Sequence, residues 1–170
     1  GMRLWSEERR LGTIELLLTM PVTIPQALLG KFIASWLFIG IALALTFPVI
    51  ITVNWLGDPD NGVIAAGYVG SLLLGGAYLA LACMTSAVTR NQVVSFILAL
   101  LLCMALILVG FEPITNMLGR WASPAVVEAV AGFSVLTHFD GFQKGVLDSR
   151  DLLYFLSVIG FELFATGVIV

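Results

Sequence analysis

The stretch Phe32–Val53 reads FIASWLFIGIALALTFPVIITV and contains no charged side chain. A transmembrane helix needs about 20 consecutive, mainly apolar residues to cross the hydrocarbon core of a bilayer. Inside lipid such a segment has to be helical, because its backbone N–H and C=O groups find no water to bond with. Phe32–Val53 is therefore predicted to be a transmembrane helix, and this prediction decides the fold class.

Further apolar runs of spanning length occupy residues 62–88, 93–111 and 152–170. The composition agrees, because only 11% of the 170 residues are charged and 59% are hydrophobic, whereas a soluble domain usually carries about a quarter charged residues. We therefore predict an all-α integral membrane protein with about four transmembrane helices in a single membrane domain over residues 1–170. The net charge of −3 argues against a nucleic-acid partner.

Residues around the first run predict how its helix begins and bends. Thr23 and Gln26 have the spacing of a capping box, with Pro25 in the opening turn. Pro48 lies near the far end of the run. It is predicted to kink the helix, because proline removes one backbone hydrogen bond and clashes with the preceding turn.

The distribution of basic residues predicts the orientation, because Lys and Arg are enriched in cytoplasmic loops. Arg90 lies between the second and third runs, whereas the turn at residues 54–62 contains Asp58 and Asp60 and no base. The bases ahead of the first run are Arg3, Arg9, Arg10 and Lys31. The N-terminal segment and the Arg90 turn are therefore predicted to be cytoplasmic. The Asp58 turn and residues 112–151 are predicted to lie outside a bacterial inner membrane that the chain crosses several times.

Two segments are not predicted to span the membrane. Residues 1–25 place four consecutive charged residues, 7–10, ahead of Gly12 and the stretch 14–18, which is apolar except for Glu15. This mixture indicates an amphipathic helical elbow at the cytoplasmic interface. Residues 112–151 alternate apolar stretches with prolines and glycines, and their aromatic residues predict short helices in the outer headgroup layer. These aromatic residues are Trp121, Phe133, Phe139 and Phe142.

Few residues have the types and spacing that catalysis requires. His138 is the single histidine, and it is interpreted as an interfacial structural residue rather than a catalytic one. The serines of the apolar runs have no base placed near them, and the sequence contains neither a set of metal ligands nor a phosphate-binding glycine loop. No enzyme activity, metal or cofactor is therefore predicted in this chain. Work against a gradient would need a nucleotide hydrolysed by another chain.

Glu162 lies midway along the last run, where a charged side chain costs at least about 2.5 kcal/mol. Two interpretations stay open: a contact with cargo or its pathway, and a helix-packing hydrogen bond to a neighbouring Ser, Thr or Tyr. In the second run, Gly67, Ser71 and Gly75 recur at four-residue spacing, which lets two helices approach closely. Packing within the chain is the simpler interpretation of this stripe, and a dimer interface or a moving seam is the alternative.

The elbow contains the motif RLWSEERRLGTIELLLTMP at residues 3–21. This motif strongly resembles the first cytoplasmic loop of type-two ABC exporter permeases, and most closely the branch that includes the gliding-motility and copper-site-maturation permeases. Gly30 and Lys31 continue the resemblance at the start of the next span. Further similar positions follow in and after the outer segment: Ser134, His138, Phe139, Phe142, Gly145–Asp148, Arg150, Asp151, Tyr154 and Phe155.

The resemblance implies a permease subunit of an ATP-binding cassette exporter that moves cargo by alternating access. It implies a separate ATPase subunit that holds ATP and Mg, and a second permease subunit, identical or different. The elbow would be the coupling helix that docks into a groove of the ATPase, with Gly12 at its bend. The residues assigned to this coupling are Glu7, Glu8, Arg9, Arg10, Gly12, Thr13 and Glu15.

Members of the family usually have six spans, two of them ahead of the elbow. This sequence begins at the elbow and is therefore expected to be a fragment or an incomplete gene product. The alternative function is a membrane scaffold or assembly factor with the same fold and no transport of its own, which would be favoured if no ATPase bound the elbow. A third option, an intramembrane hydrolase, needs a reactive serine or a pair of aspartates at depth, and the sequence offers neither.

Overall fold

A computed structural model describes residues 3–19 and 21–170 of the chain. Outside the described residues lie parts of the predicted elbow: Gly1, Met2 and Met20, and the side chains of Ile14, Leu17 and Leu18. The described residues form ten α-helices and no strand, which confirms the predicted all-α membrane fold. The helices are α1 (Ser6–Leu11), α2 (Thr13–Thr19), α3 (Ile24–Ala44), α4 (Phe47–Leu56), α5 (Asn61–Val88), α6 (Gln92–Leu108), α7 (Glu112–Leu118), α8 (Pro124–Gly132), α9 (Val135–Gln143) and α10 (Ser149–Ile169).

Three helical stretches are long and apolar enough to cross a membrane: Ile24–Leu56, Asn61–Val88 and Ser149–Ile169. Two bent pairs meet the same criteria only if each pair counts as one span. These are α6 with α7, bent by 73°, and α8 with α9, bent by 65°. The described part of the chain therefore contains three to five candidate spans, a range that includes the predicted number.

The first of these stretches begins and breaks at local signals in the sequence. The backbone N–H of Thr23 donates to Oε1 of Gln26 at 3.1 Å, which satisfies one N–H group at the start of α3. The stretch is interrupted between α3 and α4, and Pro48 lies in the first turn of α4. Proline is tolerated in a first turn because its missing N–H would have no partner there.

Helix α5 is the centre of the bundle, since α3, α6, α9 and α10 all pack against it. Its neighbours can approach closely where its residues are small. A Cβ added at Gly70 would lie 2.7 Å from Phe142 of α9. One added at Gly76 would lie 2.9 Å from Nε1 of Trp36 on α3 and 3.1 Å from Cδ1 of Ile159 on α10. Larger side chains at these two positions would force the helices apart.

The outer surface of the bundle is apolar along most of its length. Large side chains on α3, α4 and α6 are more than half exposed, including Phe38 at 73%, Trp55 at 88% and Leu101 at 59%. In water such a surface would associate or aggregate. In a bilayer it is the expected lipid-facing surface, because the hydrocarbon tails are as apolar as the side chains.

The bundle has two distinct ends. One end, which we call the elbow end, contains helix α1. It contacts the beginning of α3 and the final residues of α5 and α10 there. At the opposite end, Asn54 of α4 and Asn61 of α5 exchange two side-chain hydrogen bonds of 3.0 and 3.1 Å. Helix α9 also packs there, against α5 and α10.

Candidate coupling site

The first residues of the elbow are seated inside the bundle. The side chains of Trp5 and Ser6 are completely buried, and Trp5 packs with Leu28 of α3 and Ala87 of α5. The backbone N–H groups of Trp5 and Ser6 donate to Oγ of Ser86 on α5, at 3.0 and 2.9 Å. The first N–H groups of a helix have no carbonyl partner within it, so Ser86 satisfies the start of α1 from another helix.

We call the buried residues Trp5 and Ser6 the seat of the elbow, and Lys31 of α3 lies against Trp5. Its ammonium group forms an ion pair with the Glu8 carboxylate and donates to the carbonyl oxygen of Leu4 at 3.1 Å. It also lies 4.2 Å from the centre of a Trp5 ring, within the range of a cation–π interaction. The side chains of Lys31 and Glu8 are only 24% and 27% exposed, so salt screens this pair less than a pair on the surface.

Arg9 attaches the elbow to a third helix. Its Nη2 donates to the carbonyl oxygen of Ile169 at 2.7 Å, in the last turn of α10. The last carbonyl groups of a helix lack partners within it, and a cation there also interacts favourably with the helix dipole. The first half of the elbow is thus fixed to α3, α5 and α10.

Gly12 separates the two halves of the elbow. Its φ of 70° lies in the left-handed region, which glycine enters without the steric cost of a Cβ atom. On both sides of it the elbow carries exposed apolar side chains, with Leu11 at 63% and Leu16 at 66%, beside the exposed Arg10 and Glu15. We call Arg10, Leu11, Glu15 and Leu16 the outward elbow face.

The other predicted coupling residues lie away from the buried seat. Glu7 and Arg10 form an exposed ion pair at 3.9 Å, an arrangement that contributes little to stability. Thr13 lies beside the bend, and its Oγ1 donates to the backbone carbonyl of Glu8 at 3.4 Å. The structure therefore divides the predicted set into residues held inside the protein and residues turned outward.

Sequence reasoning did not assign Trp5, Ser86 or Lys31 to this site. Lys31 carried a usable signal, because a cation at the start of an apolar span is costly in lipid unless it finds a partner. Trp5 is the aromatic residue of the charged half of the elbow, which favours burial of its large ring. Ser86 had no distinguishing signal in the sequence.

Glu162 lies in the buried stripe of α10 that faces the bundle, together with Phe155, Ile159 and Thr166. Its side chain is 7% exposed, and within the described residues its Oε2 atom is buried without a hydrogen-bond partner. The hydroxyl of Thr166 donates at 2.7 Å to the backbone carbonyl of Glu162 rather than to its carboxyl group. A buried polar atom without a partner costs about 1–3 kcal/mol.

The predicted stripe of small residues on α5 divides between two environments. A Cβ added at Gly75 would lie 3.2 Å from Cγ2 of Ile39 on α3, whereas one added at Gly67 would meet no atom within 4 Å. Ser71 is half-buried. Among the α5 glycines that face another helix, Gly70 and Gly76, immediately beside this stripe, leave less room for an added Cβ than Gly75 does.

His138 joins three helices at the opposite end of the bundle. Its Nδ1 lies 2.7 Å from Oδ1 of Asp151 on α10, and its Nε2 lies 3.0 Å from the carbonyl oxygen of Gly132 on α8. The ring also stacks on Tyr154, with a distance of 3.9 Å between ring centres. Both ring nitrogens are thus engaged in contacts between helices. Across residues 3–19 and 21–170, the His, Cys, Asp and Glu side chains form no group of three or more that could hold a metal ion.

A bundle of apolar helices around α5, with a bent elbow packed at one end, defines an all-α integral membrane protein. The sequence matches the family described as ABC-2 family transporter protein over residues 1–126, and the chain belongs to this family. It is a membrane permease component of an ABC transporter and is not itself an enzyme. The match runs from the elbow into α8. No curated protein matches the sequence.

Proposed function

We propose that this chain is a permease subunit of an ABC exporter, that it moves cargo by alternating access, and that a separate ATPase subunit drives it. One observation supports this most directly: residues 4–9 of the elbow are fixed to three membrane helices, whereas the outward elbow face, on both sides of Gly12, is exposed. A displacement of this exposed face would therefore reach α3, α5 and α10 through packed side chains and hydrogen bonds. Energetic coupling travels through contiguous contacts of this kind.

The outward elbow face has the composition of a docking surface. Leu11 and Leu16 supply apolar area, and Arg10 and Glu15 supply charge on either side of it. Interfaces commonly combine an apolar centre with a charged rim that sets orientation and specificity. In this proposal the ATPase subunit binds this face and holds the ATP and Mg.

The remaining elbow residues take supporting roles in this proposal. Glu8 and Arg9 hold the first half of the elbow on α3 and α10, and Gly12 sets the angle between the halves. Glu7 and Thr13 lie beside this bend. A second permease subunit completes the transporter, and Gly75 serves the packing of α3 on α5 within this chain. Glu162 is the carboxyl group at depth that we assign to the cargo pathway.

The docking proposal requires the elbow end to face the cytoplasm. In a background without Cys83 and Cys103, an impermeant maleimide added to intact cells should label Asp58→Cys and leave Arg90→Cys unlabelled. Asp58 precedes α5 and Arg90 follows it, and both residues are exposed. The side of the membrane on which each residue lies therefore decides whether the reagent reaches it. Permeabilised cells provide the control, in which both positions should react. Labelling of position 90 alone from outside would contradict the proposed orientation and the coupling role of the elbow.

Docking itself is tested by removing the outward elbow face. Glu15→Ala combined with Leu16→Ala should weaken the binding of the ATPase subunit at least about tenfold, because truncating a buried charged contact at an interface costs about 2–5 kcal/mol. The measurements are the amount of ATPase that co-purifies with the permease and the cargo-stimulated ATP hydrolysis of the complex. The matched control is Glu112→Ala with Met117→Ala, since Met117 and Leu16 are both 66% exposed and Met117 lies on α7 at the other end. Unchanged binding in the elbow variant would favour the scaffold function.

A further inference from the structure

Lys31 lies near the beginning of α3 and contacts three residues of the elbow, Leu4, Trp5 and Glu8. Its ammonium group forms an ion pair with Glu8 and donates a hydrogen bond to the carbonyl oxygen of Leu4. It also covers a Trp5 ring at 4.2 Å. One side chain of a membrane helix therefore fixes both the start and the middle of α1.

The carboxylate of Glu8 is turned away from the outward elbow face. Its Oε1 atom pairs with Lys31, and its Oε2 atom is buried without a hydrogen-bond partner among the described residues. A docking protein would not reach Oε2 unless the elbow moved, and Oε1 is already paired with Lys31. Glu8 is thus placed to act on α3, whereas Glu15 is placed to meet a partner.

The contact between Lys31 and Glu8 differs in chemistry from the other attachments of the elbow. Ser86 holds two backbone N–H groups through a neutral hydroxyl, and Arg9 binds a backbone carbonyl. The contact with α3 joins two oppositely charged side chains that are both about three-quarters buried. Removing one partner of such a pair leaves the other charge uncompensated in a poorly solvated place.

We propose that Lys31 is a positioning residue for energy coupling, which holds the elbow at a fixed angle to α3 through Glu8. A displacement of the outward elbow face then moves α3 as well, because the elbow cannot rotate freely about Trp5 and Ser6. This inference rests on the proposed coupling function, and it assigns Glu8 to an internal contact rather than to the ATPase interface.

The test separates docking from coupling in the assembled transporter. Lys31→Met and Glu8→Gln should each leave the amount of co-purified ATPase unchanged and lower the cargo moved per ATP hydrolysed by about tenfold, within the range typical of coupling between two sites. Lys31→Arg should keep most of the coupling. The charge reversal Lys31→Glu with Glu8→Lys should restore much of it, because the ion pair is rebuilt. The control is Lys144→Met, which removes the exposed Asp140–Lys144 pair at the opposite end and should change neither quantity.

A second measurement needs no ATPase. Spin labels at Thr19 on α2 and Val88 at the end of α5, both exposed, report the distance between the elbow and the bundle in the permease alone in nanodiscs. The distance distribution should be narrow in the parent and in the charge-reversed protein, and broad in Lys31→Met. If no ATPase co-purifies with the parent, the proposed function fails, while the label distances still test the role of Lys31.

Two results would overturn the inference. A Lys31→Met protein with the parent's coupling and a narrow distance distribution would show that the elbow is held without this pair. Loss of ATPase binding in Lys31→Met and Glu8→Gln, equal to that in the Glu15 and Leu16 double variant, would show instead that these residues belong to the docking surface. Retained binding, lost coupling and recovery by charge reversal would establish the positioning role.

Discussion

Replacing Phe142 with alanine should lower the free energy of unfolding by about 3–5 kcal/mol, the usual range for a buried phenylalanine. The Phe142 side chain is completely buried. It packs on Gly70 of α5, where an added Cβ would lie 2.7 Å from it, and its ring centre is 6.0 Å from that of Phe155 on α10. Because α5 and α10 already pack against each other, they cannot move together to fill the space that alanine would leave.

The free energy of unfolding can be measured by denaturant titration in mixed micelles, with helix content as the signal. Phe133→Ala is the matched control, since it removes the same side chain from the same segment at a position that is 71% exposed. An exposed substitution of this kind usually changes stability by less than about 0.5 kcal/mol. Equal effects of the two substitutions would mean that α9 does not pack on α5 as described.

The long helices follow from the sequence because a bilayer imposes a simple rule on length and polarity. The bounds of the apolar runs 62–88 and 152–170 nearly coincide with those of α5 and α10. Hydropathy does not detect the polar first turn of α10, which begins at Ser149. That turn is stabilised locally, because the side chain of Asp148 accepts a hydrogen bond of 3.1 Å from the N–H of Arg150.

The segment between α6 and α10 was harder to predict, because its aromatic residues are indistinguishable in the sequence. Trp121 and Phe133 are 92% and 71% exposed, whereas Phe142 is completely buried. Helices α7, α8 and α9 are too short for their hydrophobic pattern to identify a buried face. Gly70, whose missing side chain makes room for Phe142, lies far away in the sequence.

The elbow shows the same limit for charged residues. The motif indicated that Glu7, Glu8, Arg9 and Arg10 belong to one functional segment, but their spacing does not show which side chains face the bundle. Glu8 and Arg9 face inward because their partners, Lys31 and Ile169, come from other parts of the chain. Such long-range pairs are properties of the packed structure. A single sequence does not determine them.

Glu162→Leu should leave the protein as stable as the parent or more stable, and should lower transport at least about tenfold. A charged side chain at the centre of a membrane helix costs about 2.5 kcal/mol or more on insertion scales, whereas leucine is favourable there. The Oε2 atom of Glu162 has no hydrogen-bond partner in the described part of the chain, so leucine gives up no bond from that atom. A costly buried carboxyl group whose Oε2 atom has no hydrogen-bond partner among the described residues is expected at a site that function requires.

The two interpretations of Glu162 predict opposite results for two variants. If the carboxyl group contacts cargo, Glu162→Gln and Glu162→Leu should both lose at least about tenfold in transport, a loss of about 1.4 kcal/mol or more, while unfolding in micelles stays at or above the parent's free energy. If it packs helices by a hydrogen bond, Glu162→Gln should be tolerated and Glu162→Leu should lose about 1–3 kcal/mol of stability. Phe161→Leu, at the adjacent position that is 70% exposed, controls for a change on the lipid-facing side of α10. A leucine variant that is destabilised, together with a fully active glutamine variant, would remove Glu162 from the proposed pathway.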